Sequence, residues 1–378
     1  MSVEIKQIPL TKKELTKFVD FAIDLYKDND CYVPPLVSDD VNTLRPEGNP
    51  AFDFCECACW MAYRDGKPVG RIAGIINSAV NERSGRKDAR FGFVDFIDDE
   101  EVVDALFETV SNWGRQKGMD HLVGPLGFTD MDYEGMLIEG FDRLGTMATI
   151  YNYPYYPKHM ERLGFQKEAD WVEFLVKVPD EIPEKMRRVA EIVRRRFGLH
   201  TVKLTSRKLL AERYGHALFE VINEAYDKLY GYSPLTPRQI DHYIDMYLGL
   251  IRLDGVCVIV DKDDKLVGVG ISVPSLSRAL QKSRGRLLPF GWIPLLKALK
   301  FGKTDYVDLM LVAIKPEYQG KGVNALLFEN MIPAFQKCGF IAAETNPELE
   351  SNTNVQSQWE YFDYEQHKRR RSFIKPLY

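Results

Sequence analysis

The residues whose spacing points most directly to chemistry lie between Thr304 and Phe340, in TDYVDLMLVAIKPEYQGKGVNALLFENMIPAFQKCGF. Tyr306 to Ile314 is apolar-rich and fits a buried strand, which Pro316 ends. Gly320 and Gly322 lack a Cβ, so the backbone there can turn tightly and approach a ligand closely. From Val323 to Lys337 the apolar residues Leu326, Leu327, Met331, Ile332 and Phe335 recur at helical spacing. Pro333 is expected to kink that helix, and Gly339 suits a left-handed end. A strand, turn and helix of this kind bring the backbone N–H groups of Gln319–Asn324 and of the first helical turn together, with the helix dipole behind them. That is an anion site, most naturally for a phosphate or pyrophosphate. The same pattern arises where glycines serve only the turn, so the surroundings must decide.

Read as Gln319-Gly320-Lys321-Gly322-Val323-Asn324, the turn resembles the acyl-CoA-binding motif of the GNAT superfamily of N-acetyltransferases, Q/R-x-x-G-x-G/A. Gln319 and Gly322 match. Asn324 replaces the last small residue, although Ala325 follows at once. The resemblance implies that acyl-CoA enters the gap between the fourth and fifth strands of the unit. Backbone N–H groups around Leu311, Val312 and Ala313 would hold the thioester and pantetheine. Gln319, Gly320, Lys321, Gly322, Val323 and Asn324 would hold the pyrophosphate. Asn352 and Asn354 fall where the family often has an Asn on the pantetheine arm; capping the following helix is the other use of an Asn there. Acetyl-CoA, or another acyl-CoA, is the implied co-substrate, and no metal is implied.

Acyl transfer to an amine needs a held thioester with its oxyanion stabilised, an amine free of its extra proton, and a proton for the departing thiolate. Glu344, at the end of the fifth strand of this unit, is the first candidate base, acting directly or through water. Asp308, in the fourth strand, is the second; either also fits a surface or paired carboxylate. For the acid, the family's frequent Tyr in the helix after the fifth strand is matched best by Tyr361 and next by Tyr364. A Tyr at helical spacing also fits a core position.

The elements that must position these residues occur twice. Residues 1–178 read as an amphipathic helix from Thr11 to Tyr26, a hairpin over 52–77 turned by Asp65-Gly66, a strand from Arg90, and a helix opened by Asp98-Asp99-Glu100-Glu101 and ended by Gly118. A strand His121–Gly124, a short helix Tyr155–Leu163 and a strand Ala169–Val178 follow. Residues 179–378 repeat the plan: a linker with two prolines, a charged helix Glu184–Arg196, helices over 209–230 and 237–250, and a second hairpin over 256–273. RDGKPVGRIAG at 64–74 echoes KDDKLVGVGIS at 262–272. A duplication of about half the chain indicates tandem domains. Both halves follow the element order of a GNAT domain, so the expected fold is α/β (α+β), two GNAT-like domains with mixed, mostly antiparallel sheets flanked by helices. In the first half no glycine lies between strand and helix, and carboxylates stand where pyrophosphate charge would sit. Like charge there repels the cofactor, so 1–178 is expected to be a degenerate copy and 179–378 the acyl-CoA-binding one.

The chain has 378 residues, enough for two cores. Its net charge of −5 argues against a duplex nucleic-acid partner. No run of about 18 apolar residues suggests a membrane span, and no apolar signal core opens the sequence. With 6 cysteines and no leader, reduced thiols in the cytoplasm are expected. Cys55, Cys57 and Cys59 alternate in a strand-like run and fit small buried hydrophobes better than metal ligands. Tyr32-Val33-Pro34-Pro35-Leu36 fits either a pocket lining or a surface wrap, and the wrap is the favoured reading. His367-Lys368-Arg369-Arg370-Arg371 is read as solvated charge on an edge strand, or as a contact for a phosphate-bearing ligand. Leu287, Leu288, Phe290, Trp292, Ile293, Leu295, Leu296 and Leu299 lie among Arg284, Arg286, Lys297, Lys300 and Lys303, with a short helix from Pro294. That basic apolar segment is read as packed between domains; lying on a membrane or taking up an acyl chain is the alternative. A patch of glycines, carboxylates and tyrosines over 124–156 fits either a cleft for an amine or polar small molecule or a packed loop. The leading function is an acyl-CoA-dependent N-acyltransferase, acetyl-CoA first, acting on a small-molecule or peptide amine. The alternative is a non-catalytic relative that binds CoA or scaffolds a partner.

Overall fold

The computed structural model describes residues 2–248, 251–301 and 304–378. Leu250, the expected end of a helix, and Lys303 of the basic apolar segment lie outside them. The chain forms two compact units: Met1–Val172 with Ser277–Leu295 and His367–Tyr378, and Glu173–Leu276 with Leu296–Gln366. A single cut after residue 178 does not reproduce that division. Ser277–Leu295 is tied into the first unit by Ser277 Oγ on the Gly145 carbonyl (2.9 Å) and Gln281 Nε2 on the Asp30 and Tyr32 carbonyls (2.8 Å each).

The first unit is built on β1 (Glu4–Ile8), β2 (Cys55–Arg64), β3 (Lys67–Asn77), β4 (Asp88–Phe96), β5 (His121–Gly124) and β6 (Met136–Glu139). β1 to β4 are antiparallel neighbours in that order. β4 and β5 run parallel over Asp88–Arg90 and His121–Val123. Asp65 and Gly66, with φ of 53° and 75°, make the tight turn from β2 to β3. Alternate residues of β2 face opposite sides, as the pleat requires. Trp60 and Ala62 pack with Val102, Val103, Leu106 and Val110 of the helix Glu100–Gln116. Cys59 and Met61 pack with Leu15, Phe18 and Val19 of the helix Lys12–Leu25. Cys55 and Cys59 are buried in that layer, as small hydrophobes would be. β1, the helices Val37–Thr43 and Ser78–Ser84, and β6 were not expected from the sequence.

The second unit takes β7 (Gln166–Lys177) from Glu173 onward, then β8 (His200–Thr201), β9 (Val256–Val260), β10 (Leu266–Pro274), β11 (Tyr306–Ile314) and β12 (Ala342–Thr345). Its strand order is β8-β9-β10-β11-β12-β7. β11 and β12 are parallel and the other pairs antiparallel, which repeats the pattern of the first unit. The helices Glu184–Phe197 and Asn324–Cys338 share one core layer with Val307 and Ala343. The helix Arg207–Tyr226 packs on β10 and β11. The expected helix over 237–250 is shorter: Pro237–Tyr243, capped by Thr236 and Gln239, passes into one wider turn, Ile244–Leu248. After β13 (Glu348–Leu349), the expected helix 352–362 is a single turn, Thr353–Gln356, and a 3₁₀ stretch, Ser357–Tyr361. The last strand is β14 (Tyr364–Pro376).

Within the first unit β14 pairs with β5 and β6, with Phe373 opposite Gly124 and Arg370 opposite Leu137. The run His367–Arg371 is therefore no solvated edge. Lys368 and Arg370 are each 1% exposed. The Arg370 guanidinium donates to the Ile150 carbonyl, and Arg369 and Arg371 hold the buried Asp170.

A second buried ion pair joins β3 to β4. Arg71 reaches Asp95 at 2.7 Å and donates to the Phe18 carbonyl at 3.0 Å, while Tyr26 donates to Asp95 at 2.9 Å. Arg71 and Asp95 are both almost wholly buried. Removing one charge of such a pair strands the other in low dielectric, at about 3–5 kcal/mol. Asp95→Ala is expected to lower the urea unfolding free energy by that amount. A loss below about 1 kcal/mol would mean that water reaches and screens Arg71.

Candidate functional site

The site in the second unit begins where two parallel strands part. β11 and β12 pair only from Tyr306 opposite Ala342 to Leu309 opposite Thr345. On the other edge of β11, Ile271 faces Leu311 and Ser272 faces Leu309, so Met310 is an inserted residue that bends the strand. Asn346 closes the end of the pairing. Its N–H donates to the Leu309 carbonyl at 3.1 Å and its Nδ2 to the Met310 carbonyl at 2.6 Å. Leu311 and Val312 beyond it are half-buried and, among the described residues, pair with β10 alone. The Tyr226 hydroxyl donates to the Val312 carbonyl at 2.9 Å. Asn346 and Tyr226 were not singled out from the sequence. Both act on backbone atoms, which no side-chain spacing reveals.

At the end of β11 the chain makes a 3₁₀ turn, Pro316–Tyr318, and enters the glycine loop. Gly320 and Gly322 have φ of 68° and 79°, the left-handed region that favours glycine. A Cβ at Gly322 would also lie 2.6 Å from Val189 Cγ1, so the helix Glu184–Phe197 seats directly on the loop. The helix Asn324–Cys338 follows, runs on through Pro333 and ends at Gly339 with φ 77°. Among the described residues, the N–H groups of Gly322, Val323 and Asn324 have no backbone acceptor, whereas those of Ala325 and Leu326 bond Gly322 and Val323. Gln319 Nε2 ties the loop to the Ile314 carbonyl at 2.9 Å, and Asn324 Nδ2 reaches Gln358 Oε1 at 3.3 Å. Lys321 is exposed, its ammonium 5.7 Å from the Phe197 ring centre. Free N–H groups, a helix start and a lysine give this corner an anion-attracting character.

Asp308 and Glu344 stand side by side across β11 and β12 and are 2% and 8% exposed. Val307 and Ala343 face the core layer of the helix Asn324–Cys338, so the two carboxylates project from the opposite face. Leu175 of β7 is opposite Glu344, which puts Glu173, two residues back, on that same face. Glu173 is fully buried and was not foreseen. Nor was Glu348, whose carboxylate oxygens accept from Trp359 Nε1 at 3.1 and 3.3 Å. Burial pushes Glu348 up to about 8, with the indole bond pulling the other way. Trp359 neighbours Gln358, the partner of Asn324, so Glu348 is linked through the stretch Ser357–Tyr361 to the glycine loop.

The remaining expected residues are less drawn together. Asn352 occupies the cap position of Thr353–Gln356 without making a side-chain cap bond, and Asn354 is exposed. Tyr361 is 40% exposed, with Lys185 4.7 Å above its ring, so it is no core residue. Tyr364 packs by its edge on Phe174.

In the first unit the corresponding helix start is filled by the chain itself. Asp99 caps the helix Glu100–Gln116 by accepting from the Val102 N–H at 3.1 Å. Arg64 grips Asp99 at 2.6 and 3.0 Å and Glu101 at 2.9 Å, and holds the Asp99 carboxyl down at about 2. Asp98 bonds His159 at 2.8 Å. Elsewhere in this unit a cavity of about 60 Å³ is walled by Tyr32, Asp40, Arg71, Asp95, Tyr133 and Tyr151 among others. Burial pushes Asp40 up to about 7, against the opposing pull of Arg71. Tyr32, Val33 and Pro35 are thus cavity wall and not a surface wrap. The tyrosine patch divides: Tyr151 lines the cavity, while Tyr156 is buried in the core and shares a hydroxyl bond with Tyr26 at 2.7 Å.

No family model matches the chain. Two curated relatives do. Protein YghO of Escherichia coli strain K12 is 28% identical over 373 residues, 97% of this chain and 94% of that protein. The bacterial ceramide synthase of Caulobacter vibrioides is 28% identical over 323 residues, 84% of this chain and 82% of that one. Among solved structures, a tandem GNAT protein from the clavulanic acid biosynthesis pathway superposes with a TM-score of 0.59 at 13% identity, over 100% of this chain and 99% of that one. A GCN5-related N-acetyltransferase from Sphaerobacter thermophilus superposes with a TM-score of 0.52 at 10% identity, over 99% and 96%. With the parted parallel strands, the glycine loop and full-length superposition on a tandem GNAT protein, the chain has the fold of two tandem GNAT-like units.

Proposed function

We propose that this protein is an acyl-CoA-dependent N-acyltransferase whose donor site is in the second unit. The observation that carries the reading is the meeting of three features: β11 leaving β12 after Leu309, the loop Gln319–Asn324 with both glycines at positive φ, and N–H groups at the start of the following helix without backbone acceptors. Backbone groups of Leu311, Val312 and Ala313 would bind the thioester and pantetheine arm. The N–H groups of Gln319 to Asn324 and the Lys321 ammonium would bind the pyrophosphate, with Asn352 and Asn354 beside the arm. The first unit would not bind CoA, because Asp99, Glu101 and Arg64 occupy its helix start. The cytoplasm, which supplies acyl-CoA, is the proposed place of action.

For the chemistry, Glu344 is the proposed base and Asp308 the second candidate, on the face where both are buried together. Tyr361 is the proposed acid for the thiolate. The acceptor is an amine. Similarity to a bacterial ceramide synthase favours a hydrophobic one and a donor longer than acetyl, since a ceramide is a long-chain amino alcohol carrying a fatty acyl group on nitrogen.

Calorimetric titration with acetyl-CoA, a long-chain acyl-CoA and desulfo-CoA is the first test. One site per chain is expected, and Lys321→Glu is expected to weaken it by about tenfold or more, as loss of a charge-assisted contact does. Lys321 is a cleaner target than Gly322, whose replacement would collide with Val189. Absence of CoA binding in the parent protein would leave a non-catalytic relative of the fold.

Glu344→Gln is expected to lower kcat by about 10²–10⁴ with little change in KM for acyl-CoA, as loss of a general base does. Tyr361→Phe is expected to lower kcat, and unchanged turnover would remove the acid role. If Glu344→Gln and Asp308→Asn both keep full activity, Glu348 becomes the base. Its carboxyl loses its proton near pH 8, so the rate would then rise through that pH and the limb would vanish in Glu348→Gln.

A further inference from the structure

The surface of the first unit carries one feature that acyl transfer leaves unused. Residues 286–290 are exposed in unbroken succession, and Leu287, Leu288, Phe290 and Trp292 stand 42%, 80%, 71% and 46% in solvent. Single apolar residues on a surface are ordinary, whereas a contiguous aliphatic and aromatic tip is not.

The tip is built rather than loose. The Trp292 N–H donates to the Leu287 carbonyl at 2.9 Å and the Ile293 N–H to the Phe290 carbonyl at 3.1 Å. These bonds close the loop and hold Leu288, Pro289 and Phe290 outward. At its base the Arg286 N–H bonds the Ser283 carbonyl, and the Gly285 carbonyl accepts from the Val37 N–H at 2.9 Å. A Cβ on Gly291 would lie 1.7 Å from the Arg286 carbonyl oxygen, and one on Gly285 1.9 Å from that of Pro35, so only glycine permits these approaches. Several backbone groups of the tip are bonded internally, and Pro289 has no N–H to satisfy. The N–H groups of Leu287, Leu288, Phe290 and Gly291 bond no backbone acceptor among the described residues, so the backbone stays at headgroup depth, where water and phosphate oxygens accept them, and only side chains reach the acyl chains.

A cationic collar lies just behind. Lys282, Arg284 and Arg286 are exposed. Arg284 pairs with Asp24 at 2.8 Å and Arg286 with Asp20 at 2.5 Å, so three cations face two carboxylates, and Lys282 has no ion-pair partner among the described residues. On a chain of net charge −5 this is a local positive rim around an apolar point. We infer that the loop Arg286–Trp292 docks the protein on a phospholipid bilayer, with Leu288 and Phe290 inserted among the acyl chains, Trp292 at the headgroup level and Lys282 toward anionic headgroups. The layering of apolar, aromatic and cationic groups matches the layering of a bilayer face. A second copy of the chain would need a matching apolar area of about 800 Å², far more than one loop tip supplies. The proposal does not rest on the transferase reading, since it concerns a surface and not the CoA loop.

Flotation of the full-length protein with unilamellar vesicles tests it, using phosphatidylcholine alone and with about one-third phosphatidylglycerol. The protein is expected to float with both, more strongly with the second. Leu288→Glu with Phe290→Glu is expected to cut the bound fraction at least about tenfold, with an unchanged thermal unfolding midpoint because both side chains are in solvent. Leu288→Ser, a milder change, is expected to reduce it partially, and Lys282→Glu to remove only the gain from phosphatidylglycerol. Quenching of tryptophan fluorescence by bromolipids is expected to fall in Trp292→Phe. Failure of the parent to float with either vesicle, or equal flotation of the double variant, overturns the proposal. So does a concentration-dependent dimer that the double variant abolishes without any flotation of the parent, which would assign the tip to a second copy.

Discussion

Everything at the candidate donor site depends on two parallel strands being made to part. A ladder of backbone bonds between β11 and β12 would leave no free edge for a ligand. The inserted Met310 bends β11 away, and Asn346 ends the ladder without leaving an orphan, by taking the Leu309 and Met310 carbonyls itself. Once the edge is open, the next demand is a turn compact enough to bring a helix start beside it. Gly320 and Gly322 supply the left-handed geometry, and the close seat of Val189 on Gly322 fixes where the loop stands. Side-chain chemistry enters last: Asp308 and Glu344 arrive next to each other because the parallel register, ending just beyond them, sets them opposite.

How much of this was legible in the sequence follows from what each feature is made of. The hairpins, the buried faces of the helices Lys12–Leu25 and Glu100–Gln116, the glycine loop and the left-handed end at Gly339 are local patterns, and periodicity with turn chemistry reveals them. The tandem plan was legible because the hairpin segments echo each other and the element order recurs. Contacts between elements distant in sequence were not legible. Lys368 and Arg370 read as edge charge because nothing near them shows that β5 and β6 close over that strand. Tyr32 read as surface because its cavity partners, Arg71, Asp95 and Tyr151, come from later in the chain. Glu173 lay in a strand whose face only pairing with β12 determines, and Glu348 became notable only when Trp359 folded back onto it.

The two units show how little separates an anion site from its opposite on one backbone plan. Each has a parallel pair leading to the start of a helix, and each helix start offers N–H groups with the positive end of a dipole. In the second unit the loop Gln319–Asn324 carries two glycines and Lys321 and no carboxylate. In the first, Asp99 accepts one of those N–H groups, and its charge is neutralised by Arg64, which also binds Glu101. The internal carboxylate is tethered, so it wins at any concentration of a free anion that is not bound far more tightly. Converting the first unit to an anion binder would therefore take removal of Asp99 together with Glu101, since either one left alone keeps Arg64 engaged and a negative charge at the helix start. The order of the strands and the parallel pair before the helix recur in both units, and at that helix start the copies differ in the residues of one loop.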